Sequence, residues 1–244
     1  MPAQRTVSII VPAYNEEAFI GALLEKLLRV DTQAVGFNKE IVVVNDGSTD
    51  RTAEIIRGIP GVHLVNQENC GKGAAVQRGV REATGDFVLV QDADLEYEPK
   101  DIPAMLSALG GSGDVAVYGS RILGAKAKQH RLTLFPGLAL GQQFGPWLIN
   151  RMLTILTFIL YGRWITDPLT GYKIYPIGFL RRVQIKTTGF ETDHELSAKL
   201  IRAGYTIREV PAEYHPRSVA EGKKIGATDG LIALWTLVRF RFQT

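Results

Sequence analysis

Two aspartates, Asp92 and Asp94, stand two positions apart just after the short apolar run Phe87 to Val90. In an extended chain, residues with that spacing point to the same side, so both carboxylates can face one cation. Hard oxygen ligands suit Mg2+ or Mn2+, and one or two carboxylates completed by a substrate's phosphates is the usual magnesium arrangement. Glu96 extends the series as a third oxygen ligand. An isolated Asp-x-Asp is more often a solvated turn, and its position at a strand end beside other polar clusters is what favours metal. Three such clusters exist: Pro12 to Glu17, Asn45 to Asp50 and Asn69 to Gly73. Asp46 can accept a hydrogen bond from a base N–H, Gly47 permits a tight turn, and Ser48 to Asp50 can cap the next helix. Gly71-Lys72-Gly73 opens a helix whose free N–H groups favour anions. No Ser or Thr follows Lys72, and Val76 stands where a dinucleotide fingerprint needs Gly or Ala, so a Walker loop and a dehydrogenase are both disfavoured.

The elements that must position these groups follow from apolar periodicity. Val7 to Val11, broken only by Ser8, and Ile41 to Val44 are β-branched apolar runs, as expected for strands buried on both faces of a parallel sheet. Val62 to Val65, Phe87 to Val90 and Val115 to Tyr118 repeat the signal. Between them, Phe19, Ile20, Leu23, Leu24, Leu27 and Leu28 share one helical face, with Asn15 as N-cap. Ser48 to Arg57, Gly73 to Ala83 and Asp101 to Leu109 are the next helices. Alternating strands and helices predict an α/β fold, a mostly parallel central sheet with helices on both faces. Ligands of such sheets bind beyond the carboxyl ends of the strands, where all four polar clusters fall.

The chain has 244 residues, enough for one domain with one large core, so 1–244 reads as a single unit. Hydrophobic residues make up 45% and charged residues 22%, which excludes a disordered, collagenous or multi-span membrane chain. With 28 Lys and Arg against 25 Asp and Glu, the net charge of +3 is too mild for a dedicated nucleic-acid binder. A single cysteine, Cys70, precludes an internal disulfide and suggests a reducing cytoplasmic setting, and the first fifteen residues carry no secretory apolar region. From Val115 to Thr166 there is no acid, while Arg121, Lys126, Lys128, Arg131, Arg151 and Arg163 are basic. A stretch that is basic and also rich in Leu, Phe and Trp fits an anionic, greasy partner. Its most apolar part, Pro146 to Tyr161, falls short of the roughly 20 residues that span a bilayer and reads as interfacial or buried. An extended segment at Tyr172 to Tyr175, a helix from Glu191 to Arg202, a strand from Thr206 to Val210 and an amphipathic helix from Asp229 to Phe240 complete the chain.

Together, Val11 to Glu17, Asn45 to Asp50, Asn69 to Gly73, Asp92-Ala93-Asp94 and Gly119-Ser120-Arg121 resemble the inverting family 2 glycosyltransferases of GT-A fold. Asp167 to Lys173, Phe190 to Glu195, and Pro216-Arg217 with Glu221 to Lys224 carry the likeness through most of the chain. Within that family it is similar to the polyprenyl-phosphate sugar transferases, the dolichol-phosphate mannose or glucose synthase group. The resemblance implies a nucleotide-sugar-binding half, 1–120, and an acceptor-binding, membrane-facing half, 121–244. It implies that Pro12, Ala13, Tyr14 and Glu16 line the base and ribose, with Asp46 on the base and Lys72 nearby. Asp92 would face sugar and metal, and Asp94 and Glu96 would hold Mg2+ or Mn2+ against the diphosphate. Arg121, Arg131, Arg217, Lys223 and Lys224 are the candidate cations for an acceptor phosphate, and Asp92, Arg121 and Arg217 the expected catalytic set. Asn45 and Glu96 replace the Asp and Gln that mannose synthases often carry.

A polyprenyl phosphate with a second pKa near ~6 is already largely dianionic at neutral pH and needs no strong base. The implied partners are therefore a nucleotide sugar, a polyprenyl phosphate and the cytosolic face of a membrane, bound peripherally, without nucleic acid. Two alternatives remain open. In one, the acceptor is a hydroxyl and Asp193 removes its proton. In the other, the chain is a nucleotide-sugar-binding subunit that depends on a membrane-anchoring partner.

Overall fold

The computed structural model describes residues 4–111, 113–128, 144–217 and 227–243. The first half alternates as expected: β1 (Arg5–Ala13), α1 (Ile20–Arg29), β2 (Phe37–Asp46), α2 (Thr52–Arg57), β3 (His63–Gln67), α3 (Lys72–Glu82), β4 (Phe87–Val90), α4 (Ile102–Leu109) and β5 (Val115–Ser120). There follow α5 (Arg121–Lys128), α6 (Phe144–Tyr161), β6 (Lys173–Pro176), α7 (Ile177–Arg182), α8 (Thr192–Arg202), β7 (Thr206–Pro211) and α9 (Ala227–Phe242). Seven strands form one sheet in the order β3-β2-β1-β4-β6-β5-β7, parallel except for β6, which runs antiparallel between β4 and β5.

Alternation along β1 divides the core. Val7, Ile9 and Val11 face one layer with Leu23, Leu24 and Leu27 of α1, all fully buried, while Ile10 faces the other with Val76 and Val80 of α3. Each such leucine removed from water contributes about 1.5–3 kcal/mol. Helix α3 comes so close to β1 that a Cβ on Gly79 would lie 2.4 Å from Ile10 Cγ2. The close approach draws Lys72, at the first turn of α3, over the strand ends.

Helix α1 begins later than its sequence suggests, with Phe19 and not Asn15 at its N-cap. Asn15 sits in the preceding loop at a φ of 51°. Its side chain accepts from the Thr49 N–H at 2.8 Å, and its own N–H donates to Ser48 Oγ at 3.0 Å. The capping group is thus spent tying the loop after β1 to the loop after β2. Helices α6 and α9 pack together through Leu153, Leu237 and Phe240. Their other faces expose Ile155, Phe158, Ile159, Leu231 and Trp235. Among the described residues, no helix is long and apolar enough to cross a membrane.

Candidate active site

The carboxylate series leaves β4 and turns at Leu95, whose φ of 57° is unusual for a side-chain-bearing residue. The turn brings the Glu96 N–H to Asp94 Oδ1 at 3.1 Å. Asp92 pairs with Lys72, whose Nζ lies 2.7 Å from Oδ1. Lys72 also reaches Asp193 Oδ2 at 3.5 Å, and Lys173 Nζ lies 3.9 Å from Asp193 Oδ1. Lys173 is fully buried, packed over the Tyr118 ring. Gly171 packs closely here: a Cβ would lie 2.7 Å from Asp92 Oδ2 and 3.3 Å from Lys72 Nζ, so a side chain would shift the pair.

These contacts set the charge states. Burial raises Asp92, and the nearby Asp94 and Asp193 charges add to it beyond what Lys72 offsets. Asp94 is raised by burial and then by Glu96. Burial would lift Asp193 too, but Lys72 and Lys173 hold it below the usual carboxylate range. Burial opposes the charge on Lys72, yet Asp92 and Asp193 raise it above an ordinary lysine. His194, desolvated and next to Lys173, is lowered to about 3 and stays neutral.

A second network centres on Arg217. Its Nη1 is 3.1 Å from Glu16 Oε2, its Nη2 2.9 Å from Asp94 Oδ2, and its Nε 3.8 Å from Glu96 Oε1. Glu96 accepts the Arg217 backbone N–H at 2.9 Å and the Tyr214 hydroxyl at 2.7 Å. Arg121 stacks on the other side of this arrangement, its guanidinium 5.1 Å from the Tyr214 ring centre. It is held by a fork to Asp167, with Nε and Nη2 both at 2.7 Å and the backbone N–H at 2.9 Å. Bidentate charge-assisted pairs of this kind fix orientation as well as charge.

At the neighbouring strand ends, Asp46 is 2% exposed and accepts from Gln67 Nε2 at 2.7 Å and from the Cys70 and Gly71 N–H groups at 2.9 Å. Both its oxygens therefore shape the loop that leads to Lys72. Asn45 bonds Asn66 across β2 and β3 at 2.9 Å. Ala13 is buried, Pro12 half-buried, and Tyr14 exposes its ring beside them.

The structure brings together Glu16, Lys72, Asp92, Asp94, Glu96, Asp193, Arg121 and Arg217 in two contiguous networks. Arg131, Lys223 and Lys224 lie outside the described residues. Among the described residues, no three His, Cys, Asp or Glu side chains form a ready metal cluster, and Glu96 is engaged by Tyr214 and Arg217. The donor set still fits a hard divalent ion. Asp92 and Asp94 are half-buried carboxylates raised first by desolvation and further by neighbouring acids, and two carboxylates completed by a diphosphate is a common magnesium site. Sequence reasoning gave no role to Asp167, Lys173 or Tyr214. Asp167 did leave a signal, as the acid that ends the acid-free stretch beginning at Val115.

A family model described as glycosyl transferase family 2 matches residues 8–150, which carry most of β1, all of β2 to β5 and the loop bearing Asp92, Asp94 and Glu96. The chain belongs to glycosyl transferase family 2. Among curated relatives of this family 2 chain, a dolichol-phosphate mannosyltransferase of Pyrococcus furiosus is 30% identical over 234 residues, 91% of this chain and 60% of that one. A dolichyl-phosphate beta-glucosyltransferase of Trichomonas vaginalis is 31% identical over 232 residues, 88% of this chain and 67% of that one. The chain thus spans about 60% of the length of the Pyrococcus relative. Glucosyl-3-phosphoglycerate synthase from Mycobacterium tuberculosis, solved with Mn2+, UDP and phosphoglyceric acid, superposes with a TM-score of 0.68 at 23% identity. That comparison covers 98% of this chain and 80% of that one, and it shows the GT-A fold.

Proposed function

We propose that this family 2 chain transfers a hexose from a nucleotide sugar to a polyprenyl phosphate, with inversion at the anomeric carbon. The observation that carries this reading is the state of Asp193. Held by Lys72 and Lys173, with its acidity increased, it is a poor proton acceptor. A hydroxyl acceptor needs a base matched to neutral pH, whereas a phosphate arrives ionised and needs cations. Cations are what the site supplies, in Arg121 and Arg217. The names of the Pyrococcus and Trichomonas relatives support the same acceptor class.

In this account the loops after β1, β2 and β3 hold the nucleotide, with Tyr14 against it and Asp46 keeping the third loop in shape. Asp92 and Asp94 hold Mg2+ or Mn2+, which when bound neutralises the charge that develops on the departing diphosphate. Lys72 keeps Asp92 oriented toward the sugar. Arg121, fixed by Asp167, and Arg217 orient the acceptor phosphate. An acceptor oxygen forms the new bond to the anomeric carbon on one face while the bond to the nucleoside diphosphate breaks on the other, so an α-linked donor gives a β-linked product. The exposed apolar faces of α6 and α9, with Arg163, Arg239 and Arg241 beside them, suit peripheral docking on a membrane carrying the acceptor.

The test is a transfer assay that pairs GDP-mannose, UDP-glucose and UDP-N-acetylglucosamine with a short polyprenyl phosphate and follows radiolabel into the organic phase. Lipid-extractable label from one donor, abolished by chelator or by Asp94→Ala, is the expected result. Metal-dependent donor binding without such label overturns it.

A further inference from the structure

The guanidinium of Arg217 stands among three carboxylates, from Glu16 on the loop after β1 and from Asp94 and Glu96 on the loop after β4. The fit is incomplete. Two of its nitrogens make short ion pairs, while the buried Nε has no hydrogen-bond partner and lies 3.8 Å from Glu96. An unmade buried hydrogen bond is destabilising, so this seat is not one the guanidinium fills well. The backbone beside it is pinned to the same loop, with His215 N–H on the Glu96 carbonyl at 2.8 Å and Arg217 N–H on its carboxylate at 2.9 Å. One side chain therefore links three segments across the mouth of the carboxylate site.

We propose that Arg217 is an exchangeable counter-cation. It occupies the carboxylates while the donor is absent, and the divalent ion arriving with the nucleotide diphosphate displaces it, which frees it for the acceptor phosphate. The inference rests on the transferase reading and adds an order of binding to it. Asp94 Oδ2 lies 2.9 Å from Nη2, so a divalent ion taking this oxygen would stand beside the guanidinium, and the repulsion between the two cations favours exchange over sharing. Before exchange, one guanidinium faces three carboxylates, so an approaching phosphate dianion meets net negative charge. After exchange, the ion offsets two of the three carboxylate charges where the guanidinium offset one, and Arg217 is available. Donor with metal therefore precedes acceptor.

The test uses the full chain without nucleotide. Mn2+ binding is followed by the electron paramagnetic resonance of the free ion, for wild type and for Arg217→Gln. The expected result is affinity for Mn2+ alone about tenfold or more greater in Arg217→Gln, and equal affinities overturn the exchange. A second readout needs only wild-type protein. The Arg217 Nε–H signal in a 15N–1H spectrum, assigned by its absence in Arg217→Lys, is recorded with Mg2+ plus UDP and with Mg2+ plus GDP. A shift on binding of either pair supports displacement. An unmoved signal in protein that binds Mg2+ and nucleotide overturns the exchange and leaves the transferase reading standing, whereas failure to bind any Mg2+–nucleotide pair overturns both.

Discussion

Replacing Asp193 with Asn separates a base from a positioning group. The substitution keeps the shape of the side chain and removes its charge, leaving Lys72 with Asp92 at 2.7 Å. Lys173 keeps the Asp193 carbonyl at 3.3 Å, Ser197 Oγ at 3.4 Å and the face of the Tyr118 ring, none of them charged. Lys173 is fully buried and already lowered by desolvation, so losing its counter-charge leaves an uncompensated cation. Breaking a buried pair from one side costs about 3–5 kcal/mol. Some of that is relieved when Lys173 gives up its proton, so urea unfolding of Asp193→Asn is expected to show a loss of about 2–4 kcal/mol at pH 7. Transfer to polyprenyl phosphate responds differently. General-base catalysis contributes roughly 10²–10⁴-fold, and since Asp193 does none here, kcat is expected to fall by less than about tenfold with an unchanged pH profile. A drop of a hundredfold or more at saturating acceptor, together with loss of the acidic limb of the profile, would refute the reasoning and restore the hydroxyl-type mechanism.

Asp167→Asn should cost about 3–5 kcal/mol, because Arg121 loses the fork that holds it, and should raise KM for the acceptor more than for the donor; urea melts and initial rates check both. Gly79→Ala places a methyl 2.4 Å from Ile10 Cγ2 and is expected to destabilise by about 1–3 kcal/mol, although alanine favours an exposed helix, and denaturant unfolding reads the sign. Glu195 is fully buried; burial would raise it, but Lys199, Thr187 and the Lys186 N–H lower it below an ordinary glutamate. The stability it supplies is therefore complete above the usual glutamate range and disappears as pH falls through its lower folded value. The stability gap between wild type and Glu195→Gln should close over that acid interval in urea melts.

The parallel sheet was legible because Val7 to Val11, Ile41 to Val44 and Phe87 to Val90 are buried on both faces and carry apolar runs broken only by Ser8. Strand β6 was legible as an extended segment but not as an antiparallel insertion, since four residues hold no record of their neighbours. Short α5 and α7 escaped notice because two turns show too little periodicity. The cap expected at Asn15 failed because its side chain answers a more distant donor, Thr49, across two loops. The same division runs through the site. Asp92, Asp94 and Glu96 are a local pattern, readable from spacing. The partners that set their charges, such as Lys173 for Asp193 and Asp167 for Arg121, lie far away in sequence and leave no local signature. The acceptor contacts expected of the second half rest partly on Arg131, Lys223 and Lys224, outside the described residues.

The central claim is that the acceptor arrives already ionised, and comparing acceptors tests it most directly. With one donor and Mg2+, transfer is measured in parallel to a polyprenyl phosphate and to the polyprenol of the same chain length. The account predicts label on the phosphate and none above background on the alcohol. Transfer to the alcohol at an equal or greater rate would contradict it.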